Sequence, residues 1–385
     1  MIRNKIAAIQ ALRGFAAIFV VIRHSWWSFI LGGAGVDLFF VISGFTMVYS
    51  SQAMFGSGKN AYTFITRRFI RIFPAYWTAT IILILLLGLP DFSYLVRSLF
   101  LVTLPELPML APGWTLSFEL CFYLIFAMFI FLPMARAVFA IVSVLLLLVF
   151  VGQLVPLVGL YASPLVLEFG LGSLIGLAFC KGARVGKWPA MILLLAGLVG
   201  LAASVSLGEL ADKIWLRQIW WGLPSACIVI ALVFGPEIKL LQHNIFQELG
   251  DASYSIYVTH WIIVRGFHSA PHHRPATFLI SIFAGVGFYY VFEKPVLQFL
   301  RARLAASSAK APAEPVYGAL STSPTVEDAH AVATTIGAIA SGVPSGRKKA
   351  KKWKPCRANA ITVTVRNTII ASPKVTMMWL VKVKV

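Results

Sequence analysis

The residues of this chain with the most chemical potential are ionisable groups set in apolar surroundings. The segment ALRGFAAIFVVIRHSWW carries Arg13 and His24 eleven residues apart. On a helix that spacing brings both side chains to one face, roughly 16 Å apart along the axis. An imidazole and a guanidinium on one face of a spanning helix suit a polar path through a bundle, with the imidazole able to take a proton near neutral pH. Ordinary anchoring of a helix by a snorkelling Arg and a boundary His yields the same two residues. Arg23 reads as an interfacial anchor. Asp37 opens GVDLFFVISGF, where it can neutralise Arg13, orient His24, or serve as a first-turn acid stabilised by the helix dipole. In TRRFIRIFPAY, Arg67 and Arg68 each share a face with Arg71, a cationic patch suited to phosphate. Glu119 sits in PGWTLSFELCFYLIF with no base beside it in sequence, so it needs a partner from elsewhere or a proton. A buried Glu and a His can share acid–base work; a structural Glu–Arg pair uses the same residue.

Later segments add polar groups that line a pocket or anchor a helix end: Asp251 and His260 in LGDASYSIYVTHWIIV, with Ser253, Tyr254 and Tyr257 between them, and Glu293 in YYVFEKP. His268, His272 and His273 fit no metal-ligand spacing, and no metal is expected. Cys121, Cys180, Cys227 and Cys356 form no C-x-x-C pair and read as small apolar residues.

Composition defines the elements that must hold these groups. Hydrophobic residues make up 59% of the 385 and charged residues 12%, about half of what a water-soluble domain carries. The apolar residues fall in blocks long enough to cross a bilayer core. The pattern predicts an all-α, polytopic membrane bundle of about ten transmembrane helices, near 6–26, 35–52, 75–90, 113–132, 137–158, 162–180, 188–207, 217–235, 254–270 and 276–299. The piece 92–104 is short enough to be interfacial or re-entrant. Lys59, Arg67, Arg68, Arg71, Arg136, Lys181, Arg184, Lys187, Lys239, Arg301 and Arg303 fall on one side if ten spans alternate, which places both termini in the cytoplasm. Arg265 and Arg274 fit that scheme less well.

The net charge of +19 includes +9 from residues 305–385. The division expected is a transmembrane domain over 1–303 and a basic, disordered cytoplasmic tail over 304–385, containing RKKAKKWKPCR at 347–357. That run suits anionic lipid or plain solvation. Basic loops at the ends of spans are the pattern of a membrane protein and exclude a nucleic-acid partner.

At these residues the chain resembles the membrane-bound acyltransferase 3 family, bacterial O-acyltransferases that modify exopolysaccharides, O-antigens and Nod factors. The resemblance covers about residues 5–303 and rests on six segments in order: Arg13-x10-His24, GVDLFFVISGF, Arg68-x-x-Arg71, WTLSFELCFY, SYSIYVTH and FEKP. In length and in its short N-terminus the chain is nearest to the exopolysaccharide-production type. The resemblance implies a bacterial inner-membrane enzyme that takes an acyl group, usually acetyl from acetyl-CoA, and passes it to a hydroxyl of a glycan or lipid-linked oligosaccharide. It implies His24 as the catalytic base with Arg13 as its partner, Arg68 and Arg71 (with Arg67 beside them) in donor handling, and Glu119 as a required acid. Glu119 or Asp37 would orient His24. Two other classes use the same composition: a transporter of a lipid-linked sugar or small polar solute, and a non-catalytic partner of a polysaccharide machine.

Overall fold

The computed structural model describes residues 6–26, 29–102, 106–154, 161–267 and 274–310, together with 363–364 and 382–383. The cluster His268, His272 and His273, the basic run 347–357 and Cys356 lie outside the described residues. Residues 1–312 form one compact unit and 313–385 another. In the second, the described structure is a two-residue antiparallel ladder pairing Val363 with Val383 and Thr364 with Lys382.

Among its described residues the secondary structure of the first unit is all helical. In chain order its helices are α1 (Ala7–Ser25), α2 (Ala34–Ser50), α3 (Asn60–Leu87), α4 (Phe92–Leu99), α5 (Gly113–Phe129), α6 (Met134–Leu154), α7 (Val166–Cys180), α8 (Lys187–Ser204), α9 (Ile214–Arg217), α10 (Leu223–Phe234), α11 (Asn244–Phe267), α12 (Arg274–Phe288) and α13 (Lys294–Lys310). Two π-helical segments join neighbours end to end: Gln218–Gly222 leads α9 into α10, and Tyr289–Glu293 leads α12 into α13. Such widened turns are rare and frequent at functional sites.

Among the described residues, seven helical stretches are long and apolar enough to cross a bilayer: α1, α2 with its preceding turn, α3, α6, α8, the α9–α10 run and the α12–α13 run. The other three expected spans fall on α5, α7 and α11. The first two are apolar but have 17 and 15 residues. The third has 24 residues and is interrupted by Glu248, Asp251 and Arg265. The polarity of the unit is inverted relative to a water-soluble protein. Leu85, Phe150, Trp188 and Val291 face outward, whereas Asp37, Glu168, His260 and Glu293 are at most 2% exposed. Apolar side chains outside and ionisable groups enclosed within the bundle are what a hydrocarbon solvent requires.

The largest departure from expectation concerns α3. The span expected at 75–90 begins fifteen residues earlier, so Arg67, Arg68 and Arg71, whose shared face follows from helical spacing, stand on the spanning helix itself. Hydropathy misses this amphipathic front end because its charges offset its apolar residues, although the backbone continues helical. The piece expected to be interfacial contains α4, whose first turn is capped by Asp91 accepting from the amides of Ser93 and Tyr94. Tyr76 and Trp77 of α3 tie it down by donating to the carbonyls of Ser98 and Leu99, at 2.7 and 2.9 Å.

Helix pairing sets the site. The helix α2 packs on α7, and α1 packs on α11, which in turn packs on α12. Between α2 and α7 the backbones nearly touch. A Cβ at Gly172 would fall 2.0 Å from the Val41 carbonyl oxygen, and one at Gly44 would fall 2.1 Å from that of Phe169. Gly250 plays the same part between α11 and α1, with Gln10 O 2.1 Å from where its Cβ would stand. Small residues allow such close approach in membranes, where van der Waals packing and interhelical hydrogen bonds drive association.

Candidate active site

The helix α11 organises the polar interior. Its segment SYSIYVTH presents side chains over two turns, and they reach α1, α3, α5 and the π-helical segment Tyr289–Glu293. Ser253 accepts from Arg13 Nε of α1 at 3.3 Å. Tyr254 donates to the carbonyl of Ile72 on α3 at 2.7 Å. Ser255 donates to Glu293 in the π-helical segment. Tyr257 donates to the carbonyl of Pro112 at 2.9 Å and lies 2.6 Å from the Thr115 hydroxyl of α5. His260 ends the series against His24 of α1, with Nε2 and Nδ1 3.1 Å apart. Asp251, two residues before Ser253, is bonded by Gln10.

These elements enclose a cavity of about 110 Å³ whose polar lining includes Arg13, Ser43, Thr46, Arg68, Arg71, Thr115, Glu119, Tyr123, Tyr254 and Tyr257. Three guanidiniums therefore converge with one carboxylate. Glu119 accepts from Ser43 Oγ at 2.9 Å and from Tyr123 on its own helix. Arg71 is ion-paired with buried Glu293 and lies over the Tyr254 ring, 5.0 Å from its centroid. Arg68 is held differently. It donates to Ser50 Oγ at 3.0 Å and faces the rings of Phe64 and Tyr123 at 5.3 and 5.8 Å, with no ion pair among the described residues. Its Nε and the hydroxyl of Thr46 are buried without a hydrogen-bond partner among the described residues. A buried donor left unsatisfied costs about 1–3 kcal/mol, so both groups favour a polar ligand in the cavity.

The residues singled out from the sequence separate into three groups. Arg13, Arg68, Arg71 and Glu119 meet in the cavity. His24 lies outside its lining, stacked on His260 with ring centroids 5.0 Å apart and edge-on to Trp261. The two regions are joined by Tyr257, whose ring lines the cavity and whose carbonyl holds His260 Nδ1 at 2.6 Å. Asp37 and Arg67 fall elsewhere. Asp37, expected to neutralise Arg13 or orient His24, is bonded instead to Arg217: Nε reaches Oδ1 at 3.0 Å and the terminal nitrogen reaches Oδ2 at 2.7 Å. Arg217 also holds Asp212 at 2.6 Å and the Gly33 carbonyl at 3.3 Å. Arg67 is exposed, its nearest described polar contact being Met54 Sδ at 4.0 Å. The imidazole of His24 meets His260 rather than Asp37 or Glu119. Sequence reading placed His260 and Glu293 among pocket-lining or anchoring groups without a partner for either. It gave Arg217 no role; the only signal was an arginine inside an apolar run.

A multi-pass helical bundle with a cation-rich internal cavity and a histidine near one end of its first span defines an integral membrane protein equipped for polar chemistry. The acyltransferase domain family model matches residues 6–294, and the chain belongs to the membrane-bound acyltransferase 3 family; it is an acyltransferase. It is 31% identical over 302 residues to the exopolysaccharide production protein ExoZ of Rhizobium meliloti (strain 1021), covering 71% of this chain and 92% of that protein. It is 26% identical over 343 residues to the acyltransferase MdmB of Streptomyces mycarofaciens, covering 74% and 85% respectively. No solved structure matches the chain.

Proposed function

We propose that this protein is an O-acyltransferase of the bacterial inner membrane, moving an acetyl group from acetyl-CoA to a sugar hydroxyl of an exopolysaccharide or other surface glycan, with both termini in the cytoplasm. The observation that carries the reading is the convergence of Arg13, Arg68 and Arg71 on one cavity where Arg68 Nε and the Thr46 hydroxyl have no described partner. A cation without a carboxylate, fixed by a hydroxyl and two aromatic faces, is suited to an anionic ligand such as a CoA phosphate. Membership of the family supports acyl transfer, and similarity to an exopolysaccharide production protein supports a glycan acceptor.

The chemistry follows from the placement. Arg13 and His24 lie on one face of α1, roughly 16 Å apart along its axis, so a donor held at the arginines by its phosphates extends its thioester arm toward His24. His24 takes the proton from the acceptor hydroxyl as that oxygen bonds to the thioester carbonyl carbon. The carbon–sulfur bond then breaks and the imidazolium returns its proton to the departing thiolate. General-base assistance of this kind contributes about 10²–10⁴-fold. Arg13 and Glu119 order the cavity, Arg13 adding positive charge where the donor phosphates bind.

The test is transfer of radiolabelled acetyl from acetyl-CoA to a membrane glycan fraction by purified protein in lipid nanodiscs. His24→Ala should fall to background while keeping the wild-type elution profile. Near-wild-type transfer by a folded His24→Ala protein would end the reading.

A further inference from the structure

Two contacts of His260 determine which nitrogen of His24 is the base. His260 is fully buried on α11. Its Nδ1 lies 2.6 Å from the carbonyl oxygen of Tyr257, one turn earlier on the same helix. A carbonyl oxygen only accepts, so Nδ1 of His260 carries the proton, and in the neutral ring Nε2 then holds a lone pair. That Nε2 stands 3.1 Å from Nδ1 of His24. A hydrogen bond between two nitrogens needs one proton, and His260 Nε2 has none to offer. The proton therefore sits on His24 Nδ1, and the lone pair of His24 lies on Nε2, the ring nitrogen farthest from its own backbone.

We propose that His260 is a positioning residue that selects the Nδ1–H tautomer of His24 and aims its Nε2 as the general base; this rests on the reading of His24 given above. The chain of polarity runs from Tyr257 C=O through His260 to His24, and each link receives a proton from the next. Trp261, set edge-on to the His24 ring at 5.3 Å, packs beside it. Tyr257 has a double part, since its hydroxyl bonds Pro112 at the cavity while its carbonyl starts the relay. The device does the work of the acid that orients a histidine base in other enzymes, without placing a second charge in the membrane interior.

The test exploits the different reach of two amides. The side-chain amide of Gln overlays Nε2 of a histidine and can accept from His24; that of Asn overlays Nδ1 and stops short. With acetyl-CoA as donor, His260→Asn should lower kcat on the order of 10²-fold, the share a general base supplies, with KM for acetyl-CoA unchanged. His260→Gln should restore most of kcat. On wild-type protein, ¹⁵N ring spectra of labelled histidine, with His24 assigned by its loss in His24→Ala, should show the Nδ1–H form; this reading needs no variant at position 260 to fold. A wild-type Nε2–H signature, or undiminished kcat in folded His260→Asn, would overturn the assignment. Loss of activity in His24→Ala alongside full activity in His260→Asn would sink this inference and leave the base assignment standing, whereas full activity in His24→Ala would sink both.

Discussion

The Asp37–Arg217 pair offers the sharpest separation of structure from chemistry. Asp37 is fully buried and receives two guanidinium nitrogens at 3.0 and 2.7 Å, while Arg217 is 8% exposed and shares its remaining donors with Asp212 and the Gly33 carbonyl. The charges are close enough for about 4 kcal/mol of attraction at an effective dielectric near 20. Removing one partner of a buried pair costs about 3–5 kcal/mol, because the survivor is left uncompensated. Two features place Asp37→Leu near the lower end, about 3 kcal/mol: Asp212 still holds Arg217, and buried Glu168 lies beside the pair. The double variant Asp37→Leu/Arg217→Met removes both charges and should recover most of that loss, as apolar replacement of a buried pair is often neutral or better. Thermal unfolding in detergent, followed by tryptophan fluorescence, reads stability; acetyl transfer per folded molecule reads chemistry. The expected outcome is an unstable single variant, a recovered double variant, and activity per folded molecule within about threefold of wild type in both. A stable Asp37→Leu that loses more than about 10²-fold in turnover would refute this and give Asp37 the part in acid–base work that its place in GVDLFFVISGF first suggested.

Two other predictions test neighbouring features. Arg68→Ala should raise KM for acetyl-CoA about tenfold, the loss of one charge-assisted hydrogen bond of about 1.5 kcal/mol, whereas Arg67→Ala, at an exposed residue outside the cavity, should leave KM within about twofold; steady-state kinetics on both decides it. Gly172→Ala puts a methyl 2.0 Å from the Val41 carbonyl oxygen and should abolish the folded monomer peak in size exclusion, while Gly287→Ala, with nothing within 4 Å of its Cβ, should elute as wild type.

Much of this architecture was legible residue by residue. The apolar blocks announce a membrane bundle because hydrocarbon leaves the chain few alternatives to helix. The eleven-residue interval places Arg13 and His24 on one face because 3.6 residues per turn is a local property of the backbone. The motif SYSIYVTH signals a polar helix end, and the arginines of TRRFIRIFPAY signal an anion site. Partnership was not legible. Arg71 meets Glu293 across 222 positions, His24 meets His260 across 236, and Arg217 takes Asp37 across 180.

The sequence by itself determined the apolar helices, their membrane setting and the inward turn of groups such as Arg13 and Glu119, since each follows from local periodicity and from the cost of charge in hydrocarbon. Only the tertiary structure decided which inward groups meet. In a bilayer a helix face packed on protein and one facing lipid can be equally apolar, so hydropathy leaves the rotation and order of the helices open. Close contacts at Gly44, Gly172 and Gly250 settle them, and with them the assignment of Asp37 to Arg217 and of His24 to His260.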